Sequence, residues 1–410
     1  MKAIILAAGK GKRMQTDLQK VMHPILGKPI VQYVAEAVQK AGLDDITVVI
    51  GSEGVEEIKD GLSSCKGLFF AVQESPLGTG DAVKAGASRI KNDDDVLVLF
   101  GDMPLVTPDF IKQMIIYKKD NPCDVLVAGA DHDITKAGIF IFNGEALFEG
   151  LKSSFLADVP KILREMGKSV SVFNAYEDMS VFTSINTQIQ LAEAVAFMRK
   201  RINECHMLNG VRMIDPSSVF ITDSVKISSG VVIYPNVILE GECVIGKGAV
   251  IGMNSHLLDT IVEDDVFINQ STTINAVIGK GTTVGPFAYL RPDAKIGKHC
   301  RIGNFVEIKN ANIGDNTNMA HLAYIGDADV GDEVNFSCGA ITANYDGKYK
   351  HRTKIGNKAF IGSNANLIAP IEIGENSVVA AGSTLTKDLP PCALGIARER
   401  QCVKSNWKKA

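Results

Sequence analysis

The 410-residue sequence holds no uninterrupted apolar run long enough to cross a bilayer, so no membrane-spanning helix is expected. It has no excess of positive charge either. With 43 Lys and Arg against 47 Asp and Glu, the formal charge is −4. A nucleic-acid backbone, bound through clustered cations and counterion release, is therefore not its main partner. The eight cysteines, at 65, 123, 205, 243, 300, 338, 392 and 402, form no C-x-x-C pair and no metal-ligand spacing. They read as small buried residues in a reducing compartment. The stretch from Met1 to Gly9 is apolar after Lys2 but runs into a basic glycine loop instead of a cleavage site, so no signal peptide is expected and the expected location is the cytoplasm.

What is present is an ordinary globular composition, 46% hydrophobic and 22% charged, at a length that calls for two or more cores. The chain has two grammars. Ala3–Leu6, Ile46–Ile50, Leu68–Val72 and Val96–Phe100 read as buried strands, with helical spacing over Val31–Ala41 and Asp81–Ile90. That alternation predicts an α/β domain with a mainly parallel sheet over residues 1–188. Residues 189–209 turn helical and charged and read as one connecting helix. From 210 to 410 Ile-Gly or Val-Gly pairs recur, for example at 245–246, 251–252, 278–279, 284–285, 296–297 and 302–303. Spacings of six or twelve fit neither an α-helix nor a β-meander; they specify a parallel β-helix of hexapeptide repeats. One aliphatic residue per hexapeptide fills the axis, while glycine and small residues make the corners. The segment Thr342–Lys354 breaks the period and is expected to loop out on a binding face.

Three elements of the first half carry phosphate chemistry. In Leu6-Ala7-Ala8-Gly9-Lys10-Gly11-Lys12-Arg13 the glycines let backbone N–H groups turn toward a phosphate, with Arg13 and Lys20 supplying charge. Gln73 to Gly80 is a second glycine-containing loop. Asp102 follows a buried strand at its C-terminal end, where open α/β sheets place ligand groups, and a carboxylate there suits Mg²⁺ held against substrate phosphates.

These residues resemble the bacterial bifunctional GlmU family, in which an N-acetylglucosamine-1-phosphate uridylyltransferase is fused to a glucosamine-1-phosphate N-acetyltransferase. The resemblance implies a Rossmann-like nucleotidyltransferase domain followed by a left-handed β-helix. It implies nucleotide contacts at Leu6, Ala7, Ala8, Gly9, Arg13, Lys20, Gln73, Gly78, Thr79, Asp102 and Asn186, with Mg²⁺ at Asp102 and Asn186. The sequence departs from the family at Lys12, where the family has Thr, and at Gln19, where it has Pro. A family segment that holds the sugar is missing between Asp131 and Thr135, an Asn contact reads Lys136, and a second family segment is missing near Phe155–Asp158.

The resemblance is nearly continuous from Val277 to Trp407. It implies His321 as catalytic base and Arg291, Lys309, Tyr324 and Asn335 as sugar-phosphate contacts; beside these, Glu307 is expected to orient the imidazole or the amine, and Lys350 to add a further phosphate contact. Two cations suit a phosphate, while a phenol and an amide suit hydroxyls. An imidazole suits removal of a proton from an attacking amine. Acetyl-CoA contacts are implied at Cys338, Asn344, Tyr345, Ser363, Ala381 and Arg398, with Cys338 standing where the family has Ala. Relatives of this kind are trimers with sites between neighbouring β-helices, and the tail bearing Arg398, Arg400, Lys404 and Trp407 is a candidate crossing arm. The expected function is glucosamine-1-phosphate acetylation by acetyl-CoA, beside an N-terminal domain whose uridylyl transfer from UTP is lost or changed. A fully bifunctional enzyme and a non-catalytic binding scaffold are the alternatives. A closed cleft beside Asp102 is the feature that would mark the loss.

Overall fold

The computed structural model describes residues 1–129, 138–151, 155–174, 179–405 and 407. The departures read at Asp131, Thr135 and Lys136 lie outside the described residues. The chain forms two compact units, Met1–Met198 and Arg199–Ala410.

The first unit is built on a seven-stranded sheet. In chain order its strands are β1 (Lys2–Leu6), β2 (Ile46–Gly51), β3 (Leu68–Gln73), β4 (Asp95–Phe100), β5 (Val125–Gly129), β6 (Ile139–Asn143) and β7 (Val170–Asn174). Their spatial order is β3-β2-β1-β4-β6-β5-β7. The sheet is mainly parallel, as the βα alternation requires, but β6 runs antiparallel to both β4 and β5. Successive residues of β1 feed opposite faces. Ala3 and Ile5 join one core with Val31, Val34 and Val38 of helix α1 (Ile30–Lys40), whereas Ile4 and Leu6 join another with Ala82 and Val83 of a helix at Thr79–Gly86. That helix starts two residues before the expected Asp81 and gives way at Ala87 to a tight 3₁₀ turn.

Because β2 and β4 lie on either side of β1, the loops after β1 and β4 part at a topological switch point. The Gly101 amide donates to the Leu6 carbonyl at 2.8 Å, and a Cβ at Gly101 would lie 3.0 Å from that oxygen. A larger residue would push the two loops apart.

The second unit opens inside a helix running Gln188–Leu208. Asn203, 1% exposed, donates from its side chain to the carbonyls of Pro216 and Val219, fixing the helix end to the first coil. From Arg212 to Gly395 the strands of the coils pair in parallel, forming the left-handed β-helix, with an antiparallel bridge between Tyr345 and Lys350 in the long coil. Ile233, Ile251, Ile268, Val284, Ile302, Met319, Phe336, Ile361 and Val379 stack in register down one face, all buried. Each such side chain contributes roughly 1.5–3 kcal/mol by leaving water. One coil is longer than its neighbours: Asn335 pairs directly with Phe360, and the excess lies between Ala343 and Thr353, narrower than the expected Thr342–Lys354 because Thr342 and Lys354 themselves sit in register with neighbouring strands.

The cysteines divide. Cys65, Cys243 and Cys300 are buried, as small apolar residues should be, and Cys123 is half-buried. Cys205, Cys338, Cys392 and Cys402 are exposed, contrary to the expectation of uniform burial. Cys338 and Cys392 occupy turns between strands, and there the inward-outward alternation that buries Cys243 does not operate.

Candidate functional site

The N-terminal cavity has a volume of about 820 Å³. Of the eleven nucleotide residues expected from sequence, ten line it: Leu6, Ala8, Gly9, Arg13, Lys20, Gln73, Gly78, Thr79, Asp102 and Asn186. Ala7 does not. It is 1% exposed, and its amide is spent on the Val49 carbonyl at 2.7 Å.

Within the described residues, the amides of Ala8, Gly9, Lys10 and Gly11 meet no acceptor. Four consecutive open donors are what a loop needs to hold a polyphosphate. Gly11 sits at φ 62°, and a Cβ there would come within 2.5 Å of the Lys20 Cβ. The glycine thus lets Lys20 close under the loop. Its ammonium reaches Oδ2 of Asp102 and lies 3.0 Å from Oδ1 of Asn186, which also accepts from Arg13 at 2.9 Å.

A cation already rests between the two oxygens that the resemblance assigns to a metal. The other carboxylate oxygen of Asp102, Oδ1, is buried with no hydrogen-bond partner. An orphaned oxygen beside an amide oxygen is a donor set that fits Mg²⁺. Ser184, which the sequence reading passed over, donates to Asp102 Oδ2 at 2.8 Å and accepts from Asn186 at 3.0 Å. Its only sequence signal was its place two residues before Asn186. Phe155 also lines the cavity, and the following amide, Leu156, donates to the Thr79 hydroxyl at 2.8 Å. The cleft beside Asp102 is therefore not closed.

In the β-helix one turn position recurs from coil to coil. The Leu322 amide donates to Asn304, Gly339 to His321, Asn364 to Cys338 and Gly382 to Ser363. Asn304, His321, Cys338, Ser363 and Ala381 therefore form a column, with rungs about 4.8 Å apart. His321 and Leu322 both have positive φ, 83° and 53°; the value at Leu322 is shared by other corners of the β-helix such as Phe305 (57°) and Asn364 (55°), so it marks the turn rather than the site. The Nδ1 atom of His321 is 2.6 Å from the Asn304 side-chain oxygen. That oxygen accepts, so Nδ1 is the donor, and in the neutral ring this places the lone pair on Nε2. Asn304 was missed in the sequence because its partner lies one whole coil away.

A second cluster gathers the expected phosphate contacts. Arg291 forms an ion pair with Glu307 at 2.7 Å, and Lys309 lies 4.0 Å from Asp327. The Lys309 ammonium is held below its usual range, first by the adjacent Lys350, then by burial, with Arg291 adding to the effect and Asp327 opposing it. Crowding like charges costs energy unless an anion joins them. Glu307 pairs with Arg291 rather than with His321, so the imidazole is oriented by Asn304 instead.

Asn344, expected among the acetyl-CoA contacts, is 8% exposed and its side-chain nitrogen is spent on Asp327. Tyr345 is exposed, its hydroxyl on the Gly347 carbonyl at 2.6 Å. Asn335 is half-buried and donates to Ser337 at 3.3 Å. Arg398 approaches the Gly382 corner, one step past Ala381. The long coil is clamped by Arg352, which grips Asp329 through Nε at 2.5 Å and Nη2 at 2.6 Å.

Comparison with known proteins agrees with both halves. Residues 3–178 match the MobA-like NTP transferase domain, and residues 275–310 and 352–387 match the bacterial transferase hexapeptide repeats. "Bifunctional protein GlmU" of Alkaliphilus oremlandii is 40% identical over 100% of this chain and 98% of its own, and that of Clostridioides difficile is 38% identical over 99% and 97%. The chain belongs to the bifunctional GlmU family. It is a two-domain enzyme of UDP-N-acetylglucosamine synthesis, a hexapeptide acetyltransferase joined to a uridylyltransferase domain. The alignments to GlmU relatives run over more positions than this chain has residues, so the relatives carry residues that this chain lacks. No helix among the described residues is long and apolar enough to cross a membrane.

Proposed function

We propose that both half-reactions are carried by this chain, and that the sites are those the two geometries outline. In the β-helix, Arg291, Lys309 and Lys350 hold the phosphate of glucosamine-1-phosphate, and Tyr324 and Asn335 meet its hydroxyls. Acetyl-CoA lies along the Cys338–Ser363–Ala381 column, whose length of about 14 Å from His321 suits an extended thioester arm. His321 Nε2 takes a proton as the sugar amine attacks the thioester carbonyl. The tetrahedral adduct then collapses, the C–S bond breaks, and the same proton passes to the departing thiolate.

The observation that carries this reading is His321, hydrogen-bonded through Nδ1 to Asn304 and stacked in one column with Cys338, Ser363 and Ala381. Transfer is direct. Trapping an S-acetyl group on exposed Cys338 in the absence of sugar would overturn that.

In the N-terminal cavity the open amides of the glycine loop, Arg13 and Lys20 hold the triphosphate of UTP. Asp102 and Asn186 would hold Mg²⁺, which supplies charge neutralisation at the reacting phosphate. The open cleft favours a retained activity over the loss expected from the missing segment. Exposed Phe287, Phe305 and Leu322 beside the His321 turn support a trimer whose neighbouring β-helices complete each acetyltransferase site, as do the exposed Val403 and Trp407 of the tail. Sedimentation checks this, and a monomer that retains full acetyl transfer refutes it.

The deciding experiment is a pair of assays on the full chain. One measures thiol release from acetyl-CoA with glucosamine-1-phosphate. The other measures pyrophosphate release from UTP with N-acetylglucosamine-1-phosphate and Mg²⁺. Both signals are expected. Acetyl transfer alone overturns the N-terminal half of the proposal, and neither signal overturns the whole.

A further inference from the structure

Asp327 sits at a corner of the β-helix with φ 49° and is 6% exposed. Three donors converge on its carboxylate. The Asn310 side-chain nitrogen donates to Oδ1 at 2.6 Å, that of Asn344 donates to Oδ2, and the Lys309 ammonium stands 4.0 Å from Oδ2. The bond from Asn310 joins neighbouring corners, and the same step recurs earlier in the stack, from Asn275 to Asp293, as a looser contact of 3.4 Å between exposed residues. It belongs to the scaffold. The bond from Asn344 has another origin, because Asn344 begins the irregular part of the long coil.

A carboxylate can only accept, so the Asn344 amide must turn its NH₂ toward Asp327, and its oxygen faces the other way. No donor among the described residues reaches that oxygen. Its surroundings are set by Gly326. Lys309 and Gly326 are register partners on adjacent strands. A Cβ on Gly326 would press on the Tyr324 hydroxyl and lie 2.8 Å from the Asn344 side-chain nitrogen, so the missing side chain lets these groups gather over the strand. The free Asn344 oxygen is thus held beside Lys309 and Tyr324, two of the groups that hold the sugar phosphate in the proposed site. Of the groups such a sugar carries, only the amine must be aimed, with its lone pair toward the thioester. An acceptor on one of its N–H bonds does that.

We propose that Asp327 is a positioning residue of acetyl transfer: by accepting from the Asn344 amide it fixes the Asn344 oxygen outward, as the acceptor that orients the attacking amine of the sugar. The inference rests on the reading of this cluster as part of the acetyltransferase site. Asp327 itself is covered and acts through Asn344. Its charge also lies against Lys309, whose ammonium it favours against the pull of Lys350 and of burial, so two effects have to be told apart. The charge bears on phosphate binding and is read in KM, whereas the orientation bears on the amine and is read in kcat.

The test is thiol release from acetyl-CoA with glucosamine-1-phosphate, with kcat and KM measured separately on the full chain. The variants are Asp327→Asn and the double exchange Asp327→Asn with Asn344→Asp. The single substitution keeps the shape but sets an NH₂ where both asparagine amides need an acceptor, so the Asn344 amide is no longer held oxygen-outward. The exchange restores a donor–acceptor pair, leaves the second carboxylate oxygen facing the sugar, and keeps the net charge. The single variant is expected to lose about tenfold in kcat with KM for the sugar phosphate within about threefold of wild type, and the exchange to regain at least a third of the wild-type kcat. A single-variant kcat within twofold of wild type overturns the inference, as does a loss confined to KM. So does a fall in kcat that the exchange fails to regain, whether or not the variants fold. Wild-type turnover retained by His321→Ala overturns the reading of the site itself, whatever Asp327→Asn does.

Discussion

Arg352→Ala should loosen the long coil of the β-helix and weaken its hold on the sugar phosphate. Arg352 grips both carboxylate oxygens of Asp329 and adds bonds to the carbonyls of Ala328 at 3.1 Å and Asn310 at 3.2 Å. It thereby ties the segment that carries Lys350 to two earlier coils. The guanidinium holds the Asp329 carboxyl down to about 2, from 3.8. Each pKa unit is worth about 1.4 kcal/mol, which sets a ceiling near 2.5 kcal/mol. The side chains are 36% and 43% exposed, so solvent screening reduces the figure to about 1 kcal/mol.

That loosening corresponds to about a fivefold rise in KM for glucosamine-1-phosphate, with kcat changed less, because Lys350 is displaced and His321 is not. Amide exchange over residues 344–354, where His351 donates to Asn344 and Asp346 to Tyr349, should quicken by a similar factor. A depressed carboxyl adds stability that is present above its unfolded pKa and is lost as pH falls through about 2. The clamp is therefore constant between pH 5 and 8, and the variant's KM effect should not vary across that range. A KM within twofold of wild type together with unchanged exchange would refute the reasoning.

Asn304→Ala removes the acceptor that sets the His321 tautomer. Loss of a hydrogen bond to a group that becomes charged costs about 1.5–3 kcal/mol, so kcat for acetyl transfer should drop roughly 10- to 100-fold, and a change under twofold would exclude the orienting role. Lys350→Met relieves the crowding on Lys309, whose pKa should rise. Acylation of Lys309 at a fixed pH near 8, read by peptide mass spectrometry, should then slow, because less free amine is present; equal or faster labelling counts against the cation cluster. Asp102→Asn should lower pyrophosphate release on the order of 100-fold or more while thiol release from acetyl-CoA by the same preparation persists. Parallel loss of both signals would show that the substitution acts by unfolding.

The β-helix was legible because its physics repeats. An aliphatic residue every six positions has one place to go, and Ile251, Ile268 and Ile302 went there. The glycine loop was legible for a related reason, since only residues without a Cβ let Gly11 sit against Lys20. Local periodicity and local backbone freedom are properties that neighbouring residues decide between themselves. Contacts between residues far apart in the chain are not. The sequence could not show that Asn304, 17 positions before His321, would set its tautomer, nor that Glu307 would turn to Arg291. It could not show that Asn344 would be buried on Asp327, or that Asp81, eight positions after Gln73, would hold that amide. The cysteines make the same point. Their chemistry favours burial everywhere, but Cys243 and Cys338 differ only in whether the coil turns them inward or leaves them at a corner. Composition and period determined two domains and their architecture, because burying apolar side chains at a fixed repeat admits few solutions. The partners of each polar group were decided by which coils and loops came to lie side by side, and that is a property of the closed structure.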